Sequence, residues 1–116
     1  VVKEIKTDDY RIWYDSTIET VTCQGSFRLT GMQEYAPIVE LLNEAATQES
    51  LQITLDVRDL EFLNSSGINV LSKFVINIRQ QKTKQITVRG SDDIPWQEKS
   101  LRNLQRLMPS LQLEME

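Results

Sequence analysis

The sequence predicts an α/β domain: a mixed sheet of four to five strands with helices packed on it, in the order β-β-α-β-α-β-α-β. Three observations carry this. Alternating, β-branched-rich stretches fill the region before residue 28. From residue 51 onward strand-like and helix-like periods alternate, which implies that the later strands are largely parallel. The 116 residues contain no linker, repeat or low-complexity segment, so they make one domain spanning 1–116.

In chain order, Ile5, Tyr10, Ile12 and Tyr14 recur at even or near-even spacing around a turn at Asp8-Asp9, and an edge strand is placed at about 10–14. Thr17 to Phe27 reads as the second strand, entered through a hairpin turn at Asp15-Ser16; Gly25 near its end marks a bulge or a close backbone approach. Thr30 is placed as the N-cap of the first helix with Gln33 as its capping-box partner, and Tyr35, Ile38, Val39, Leu41, Leu42 and Ala45 follow at helical spacing. Pro37 requires that this helix either start near Ala36 or bend.

Leu51, Ile53, Leu55 and Val57 alternate with polar residues and make a strand of about seven residues. A helix from about Ser65 to Lys82 carries Ile68, Leu71, Val75 and Ile78 on one stripe with Phe74 beside it. Ile86 and Val88 mark a short strand ended by Gly90-Ser91-Asp92-Asp93. Pro95 opens the last helix, which Pro109 stops after Met108, and Leu111 and Leu113 suggest a final strand.

Composition narrows the chemistry. The net charge of −4 argues against nucleic-acid binding, which needs a clustered basic surface. The chain has no histidine, which removes serine–histidine and cysteine–histidine catalysis and the commonest metal ligand together. No catalytic residue, metal site or cofactor is expected. The single cysteine, Cys23, lies in an alternating run and reads as a small sheet residue that fits a reducing compartment. No apolar stretch approaches the roughly 20 residues of a membrane span, and no signal peptide is visible.

The most informative segment is Phe62-Leu63-Asn64-Ser65-Ser66-Gly67-Ile68-Asn69-Val70-Leu71. An apolar strand ends, two hydroxyls and a glycine follow, and helical periodicity begins. Serine hydroxyls are thereby set at a helix N-terminus, where free N–H groups and the macrodipole favour an added anion.

The longer run from Leu55 through Asp56 and Phe62 to Leu71 resembles the signature of the STAS family, the anti-sigma factor antagonist domains of bacterial regulation. The likeness covers nearly the whole chain. It implies a non-enzymatic, cytoplasmic signalling regulator. In such proteins the first serine of the signature is phosphorylated by a GHKL-type serine kinase that doubles as an anti-sigma factor, and a PP2C-type phosphatase removes the phosphate. The unphosphorylated form binds the kinase or another target. By position the phosphoacceptor is Ser65, with Ser66 the less favoured neighbour. Asn64, Ser65, Ser66, Gly67, Arg28 and Met32 are the expected partner-binding residues. Gly67 is expected to let a partner or phosphate approach, and Met32 to lie exposed beside the serine loop.

Two residues depart from the family pattern. Asn64 replaces the usual aspartate; it caps a helix equally well but carries no charge. Arg28 stands where the family often has an acid, and it is a candidate to pair with a phosphate on Ser65. Asp56 is a family-typical acid expected to hydrogen-bond a nearby loop. The segment with Lys99, Arg102 and Arg106 among leucines reads as a solvated amphipathic face or a partner surface. Competing functional readings are an unphosphorylated STAS scaffold and a module binding a small ligand near the serine loop. The sequence leaves the oligomeric state open.

Overall fold

The computed structural model describes residues 2–116. They form β1 (Val2–Lys6), β2 (Tyr10–Asp15), β3 (Thr20–Phe27), α1 (Gly31–Ala46), β4 (Gln52–Leu63), α2 (Ser65–Gln81), β5 (Gln85–Gly90), α3 (Gln97–Leu107) and β6 (Gln112–Met115). The strands make one sheet in sequence order, β1-β2-β3-β4-β5-β6. The first three pair antiparallel and β3 to β6 pair parallel. Three successive right-handed crossovers in one direction lay α1, α2 and α3 side by side on a single face.

The sheet has six strands, not four to five. The additional one, β1, is an edge strand in which two lysines and a glutamate dilute the apolar signal. It forms because β2 supplies a template, with Ile5 opposite Ile12. The other strand boundaries also shift. Thr17 to Glu19 belong to the hairpin turn, where Glu19 adopts φ 53°, and β3 starts at Thr20. β4 has twelve residues instead of about seven. Its second half breaks the two-residue alternation because the β3–β4 register slips between Thr22 and Gln24 and again between Gly25 and Ser26. Gly25 sits at that second slip with φ +89°, and a Cβ there would lie 2.4 Å from the Asp9 carbonyl oxygen. The expected close approach is therefore between β3 and the β1–β2 turn.

Helix entries differ in detail from expectation. α1 starts at Gly31 and runs through Pro37. The proline falls on the solvent side beside exposed Gln33, the residue whose carbonyl loses its helical donor, so water can replace that bond. Thr30 makes no side-chain cap, and Gln33 is not the box partner. Glu34, one residue later, accepts the Thr30 N–H at 2.9 Å. Pro95 precedes α3 by two residues, in the turn that ends at Trp96.

The helix-facing side of the sheet carries the core. Ile12, Val21, Cys23, Phe27, Leu55 and Val88 lie under Tyr35, Ile38, Leu41, Phe74, Val75 and Leu101, all buried. Cys23 is fully enclosed, and burial together with the nearby Asp56 carboxylate raises its thiol pKa far above the ordinary range. This is an inert core thiol. Lys84 is buried as well. Its ammonium donates to the Ala46 and Gln48 carbonyls at 2.9 and 2.6 Å, closing the C-terminal end of α1, and burial lowers its pKa.

The opposite face is polar. Register places Glu4, Trp13, Thr22, Asp56, Arg89 and Glu114 in one row across it. Asp56 bonds no loop. It accepts the Arg58 backbone N–H at 3.1 Å and its guanidinium at 3.0 and 2.8 Å. Burial pushes the Asp56 pKa up, but the Arg58 hydrogen bonds and the Arg58 and Arg89 charges outweigh it, so the net shift is downward. An acid with a depressed folded pKa contributes stability that is complete above its unfolded value of about 4 and is lost as pH falls through the folded value. The stability difference between wild type and Asp56→Asn is therefore expected to be constant from neutrality to about pH 5 and to shrink below about pH 4. Urea titrations at stepped pH check this; a difference that grows on acidification contradicts it.

Candidate functional site

The β4–α2 junction assembles around the Asn64 side chain. Asn64 is extended (φ −85°, ψ 177°), and its Oδ1 accepts the Gly67 N–H at 2.9 Å, the standard N-cap bond. The same oxygen accepts the Tyr35 hydroxyl at 2.7 Å. Its Nδ2 donates to the Leu29 carbonyl at 2.8 Å. One amide thus joins three segments: the start of α2, the first turns of α1 and the β3–α1 loop. Tyr35 also lies 3.2 Å from the Phe27 carbonyl, but its single proton favours the shorter bond to Asn64. Burial raises the Tyr35 pKa, so it stays a donor.

This arrangement explains the departure at position 64. A carboxylate would cap α2 as well and still accept from Tyr35. It would, however, set an acceptor against the Leu29 carbonyl where Asn64 places a donor. Asparagine alone satisfies all three partners.

Ser65 is the first residue of α2. It is exposed, and among the described residues its hydroxyl has no hydrogen-bond partner. The N–H groups of Ser65 and Ser66 have no acceptor within the helix. Ser66 is half-buried. Gly67 is buried, and a Cβ there would fall 2.3 Å from Leu63 Cδ1 and 2.7 Å from the Tyr35 hydroxyl. Its smallness therefore serves the packing of α2 on β4 and α1; the expected approach of a partner to Gly67 has no open space.

Met32, in the first turn of α1, is 48% exposed and lines an open groove with Ala36, Val39, Glu40 and Asn43. The Asn64–Tyr35 and Asn64–Leu29 bonds bring the entries of α1 and α2 together, as expected. Arg28 is exposed, and its guanidinium lies 4.8 Å from the centre of the Phe62 ring. It is engaged with that ring and makes no bond to Ser65. Phe62 is itself 39% exposed.

Tyr35, Leu29 and Phe62 are the site residues that sequence reasoning missed. Tyr35 carries the one available signal, since a tyrosine on a buried helical stripe needs a partner for its hydroxyl. Among the described residues no group of three or more His, Cys, Asp or Glu is placed to hold a metal ion. No described helix is long and apolar enough to cross a membrane.

Solved structures share this architecture. Apo-SiaC from Pseudomonas aeruginosa matches with a TM-score of 0.75 at 13% identity, over 100% of this chain and 98% of that one. SiaC in complex with the diguanylate cyclase SiaD, which it activates, matches at 0.66 and 13%, over 98% and 99%. The Bacillus cell-fate determinant SpoIIAA in its phosphorylated form matches at 0.57 and 17%, over 92% of each chain. The fold is the STAS fold. The mixed sheet with helices on it is thereby established as the SpoIIAA-like type. No protein-family model matches the chain, and no curated protein matches it in sequence. At these identities the likeness speaks for the STAS architecture alone.

Proposed function

We propose that the protein is a non-enzymatic regulator that binds a partner protein through the face around the entries of α1 and α2, and that phosphorylation of Ser65 switches this binding off. The observation that carries the reading is the Ser65 hydroxyl: exposed, unbonded and in the first turn of a helix whose cap is already satisfied by Asn64. Adding about −1.5 to −2 charges there is compatible with the helix dipole and leaves the fold intact. The effect falls on docking, because a partner packed on Ser65 would have to bury the new charge. A tenfold loss of affinity needs only about 1.4 kcal/mol.

The kinase of this reading is a GHKL-type serine kinase, itself a docking partner, and the opposing enzyme is a PP2C-type phosphatase. Ser65 Oγ attacks the γ-phosphorus of the kinase-bound ATP, ADP leaves, and the hydroxyl proton passes to a base on the kinase; no histidine here can take it. Two folds of the same type support the reading: SpoIIAA exists in a phosphorylated form, and SiaC is the activator in a complex with SiaD. An enzyme activated by docking is therefore a target class beside an anti-sigma factor. Such a regulator acts in the cytoplasm.

The test couples modification to binding. Co-expression with the cognate kinase is expected to give one shifted band on a phosphate-affinity gel, absent in Ser65→Ala and retained in Ser66→Ala. In a pull-down, Ser65→Asp is expected to lose at least tenfold of the partner that wild type retains. Phosphate that maps elsewhere, or equal retention by both baits, would falsify the switch.

A further inference from the structure

α1 carries two lines of side chains at helical spacing. Tyr35, Ile38, Leu42 and Ala45 face the sheet and are buried. Met32, Ala36, Val39 and Asn43 recur at steps of four, three and four on another side of the same helix, the alternation of a coiled-coil seam. Met32, Ala36 and Asn43 are exposed, and Val39 is half-buried. Two depressions meet along this second line. One lies on α1 itself, where the short Ala36 side chain leaves a dip between Met32 and Glu40. The other is the crevice between α1 and α2, floored by Val39, Leu42, Val70 and Phe74 and walled by Lys73. Both include Val39 and Asn43, so they form one trough with Glu40 on one bank and Lys73 on the other. Among the described residues neither of these charges has an ion-pair partner, whereas Glu44, farther along the Glu40 bank, is held by Lys3 at 2.6 Å.

Shape and charge select the occupant of this trough. It is open and lies along a convex helical surface, so it cannot enclose most of a small molecule. It offers no strand edge to extend. Its spacing is that of ridges on a second helix: a side chain entering beside Ala36 meets the four-residue hole made by Ala36, Val39, Glu40 and Asn43. A second copy of the chain offers no such knob. Its own seam would lay dip against dip, and the exposed residues of α3, which are Glu98, Lys99, Arg102, Asn103 and Arg106, include no apolar one.

We propose that a partner protein docks an amphipathic helix in this trough. Its apolar residues, at alternating steps of three and four, sit against Ala36 and Val39. A basic flank lies over Glu40, an acidic flank lies over Lys73, and a polar residue stands beside Asn43. The trough begins at Met32, by the helix entries that Asn64 joins, so the docked helix ends on the Ser65 face. This rests on the partner-binding reading above and names the segment that the partner contributes.

A synthetic, end-capped peptide of about 18 residues, or five turns, tests this against the full chain. Its leucines keep the seam spacing, with lysines along one flank and glutamates along the other. A control peptide has the same composition with the leucine spacing broken. In an NMR titration the amides of Met32, Ala36, Val39, Asn43 and Lys73 are expected to shift and those of α3 to stay. Ala36→Gln fills the dip at an exposed helical position, and it is expected to weaken binding at least tenfold with an unchanged melting temperature. Glu40→Lys is expected to weaken it about threefold, the scale of an exposed ion pair. A peptide with its flanks exchanged is expected to bind in the opposite direction. A nitroxide on the peptide N-terminus then broadens amides at opposite ends of α1 for the two peptides. No response, an equal response to the control, shifts centred on α3 or the open sheet face, full affinity in either variant, or one binding direction for both peptides overturns the proposal. So does self-association through these residues without peptide, which would assign the trough to a second copy. The pull-down described above separates the two readings. A partner lost by Ser65→Asp but kept by Ala36→Gln refutes the helix seat and leaves the switch standing. A peptide that behaves as expected, with no Ser65-dependent partner found, leaves the seat and refutes the switch.

Discussion

Asn64→Ala is expected to lower stability by about 3 kcal/mol and to loosen both helix entries together. The substitution removes the cap from the Gly67 N–H, the donor from the Leu29 carbonyl and the acceptor from the Tyr35 hydroxyl. An N-cap alone is worth about 1 kcal/mol. The rest comes from buried groups left without partners, since Tyr35 is fully enclosed and keeps only the longer contact to Phe27. Asn64→Asp separates the contributions. It retains the cap and the Tyr35 bond and turns an acceptor toward Leu29, so it is expected to cost less than alanine while still disturbing the β3–α1 loop. Guanidinium unfolding gives the ranking, and amide exchange at Leu29 to Met32 locates the loosening. If aspartate matches wild type in both, the Asn64–Leu29 bond does not hold the loop.

Gln97→Ala is expected to cost a similar amount, about 3 kcal/mol, along the second half of the site-bearing strand. Gln97 is fully buried, its Nε2 donating to the Val57 and Leu60 carbonyls at 2.6 and 3.1 Å and its Oε1 accepting the Ser91 N–H at 2.7 Å. Leu60 keeps a second donor, Trp96 Nε1 at 3.0 Å, so the groups orphaned by truncation are the Val57 carbonyl and the Ser91 N–H. This side chain holds α3 against β4 beyond the point where β4 stops pairing with β5, which is at Asp56–Arg89. Gln97→Glu keeps the acceptor but sets a carboxylate against two carbonyls, and it is expected to be at least as damaging as alanine. A loss under about 1 kcal/mol for both variants would mean that water replaces the glutamine without penalty.

The β4–α2 junction was legible because its signals are local. Asn64, the two serines, Gly67 and the Leu71, Phe74, Val75, Ile78 stripe lie within about four helical turns and act on their own backbone. The α1 entry differs from expectation by one residue because Gln33 and Glu34 both suit a reciprocal cap, and the choice depends on which side chain the helix turns back toward Thr30. From sequence, Gly67 is expected to leave room for a visitor. It is small for Leu63 and Tyr35, and the second of these lies in another element. Arg28 is expected to meet a phosphate on Ser65; in the unmodified chain its guanidinium lies over the Phe62 ring, which no periodicity connects to it.

From its sequence alone this chain determined the strand–helix alternation, the parallel later strands and the position of an exposed serine at the mouth of α2, because backbone propensity, turn chemistry and apolar spacing act over a few residues. Tertiary structure decided the sixth strand, the bulged length of β4 and the clasps made by Asn64 and Gln97. Those bonds join residues 29, 35 and 40 positions apart. Only after the sheet has set the helices side by side do such groups come within hydrogen-bonding distance, and no local pattern announces the meeting.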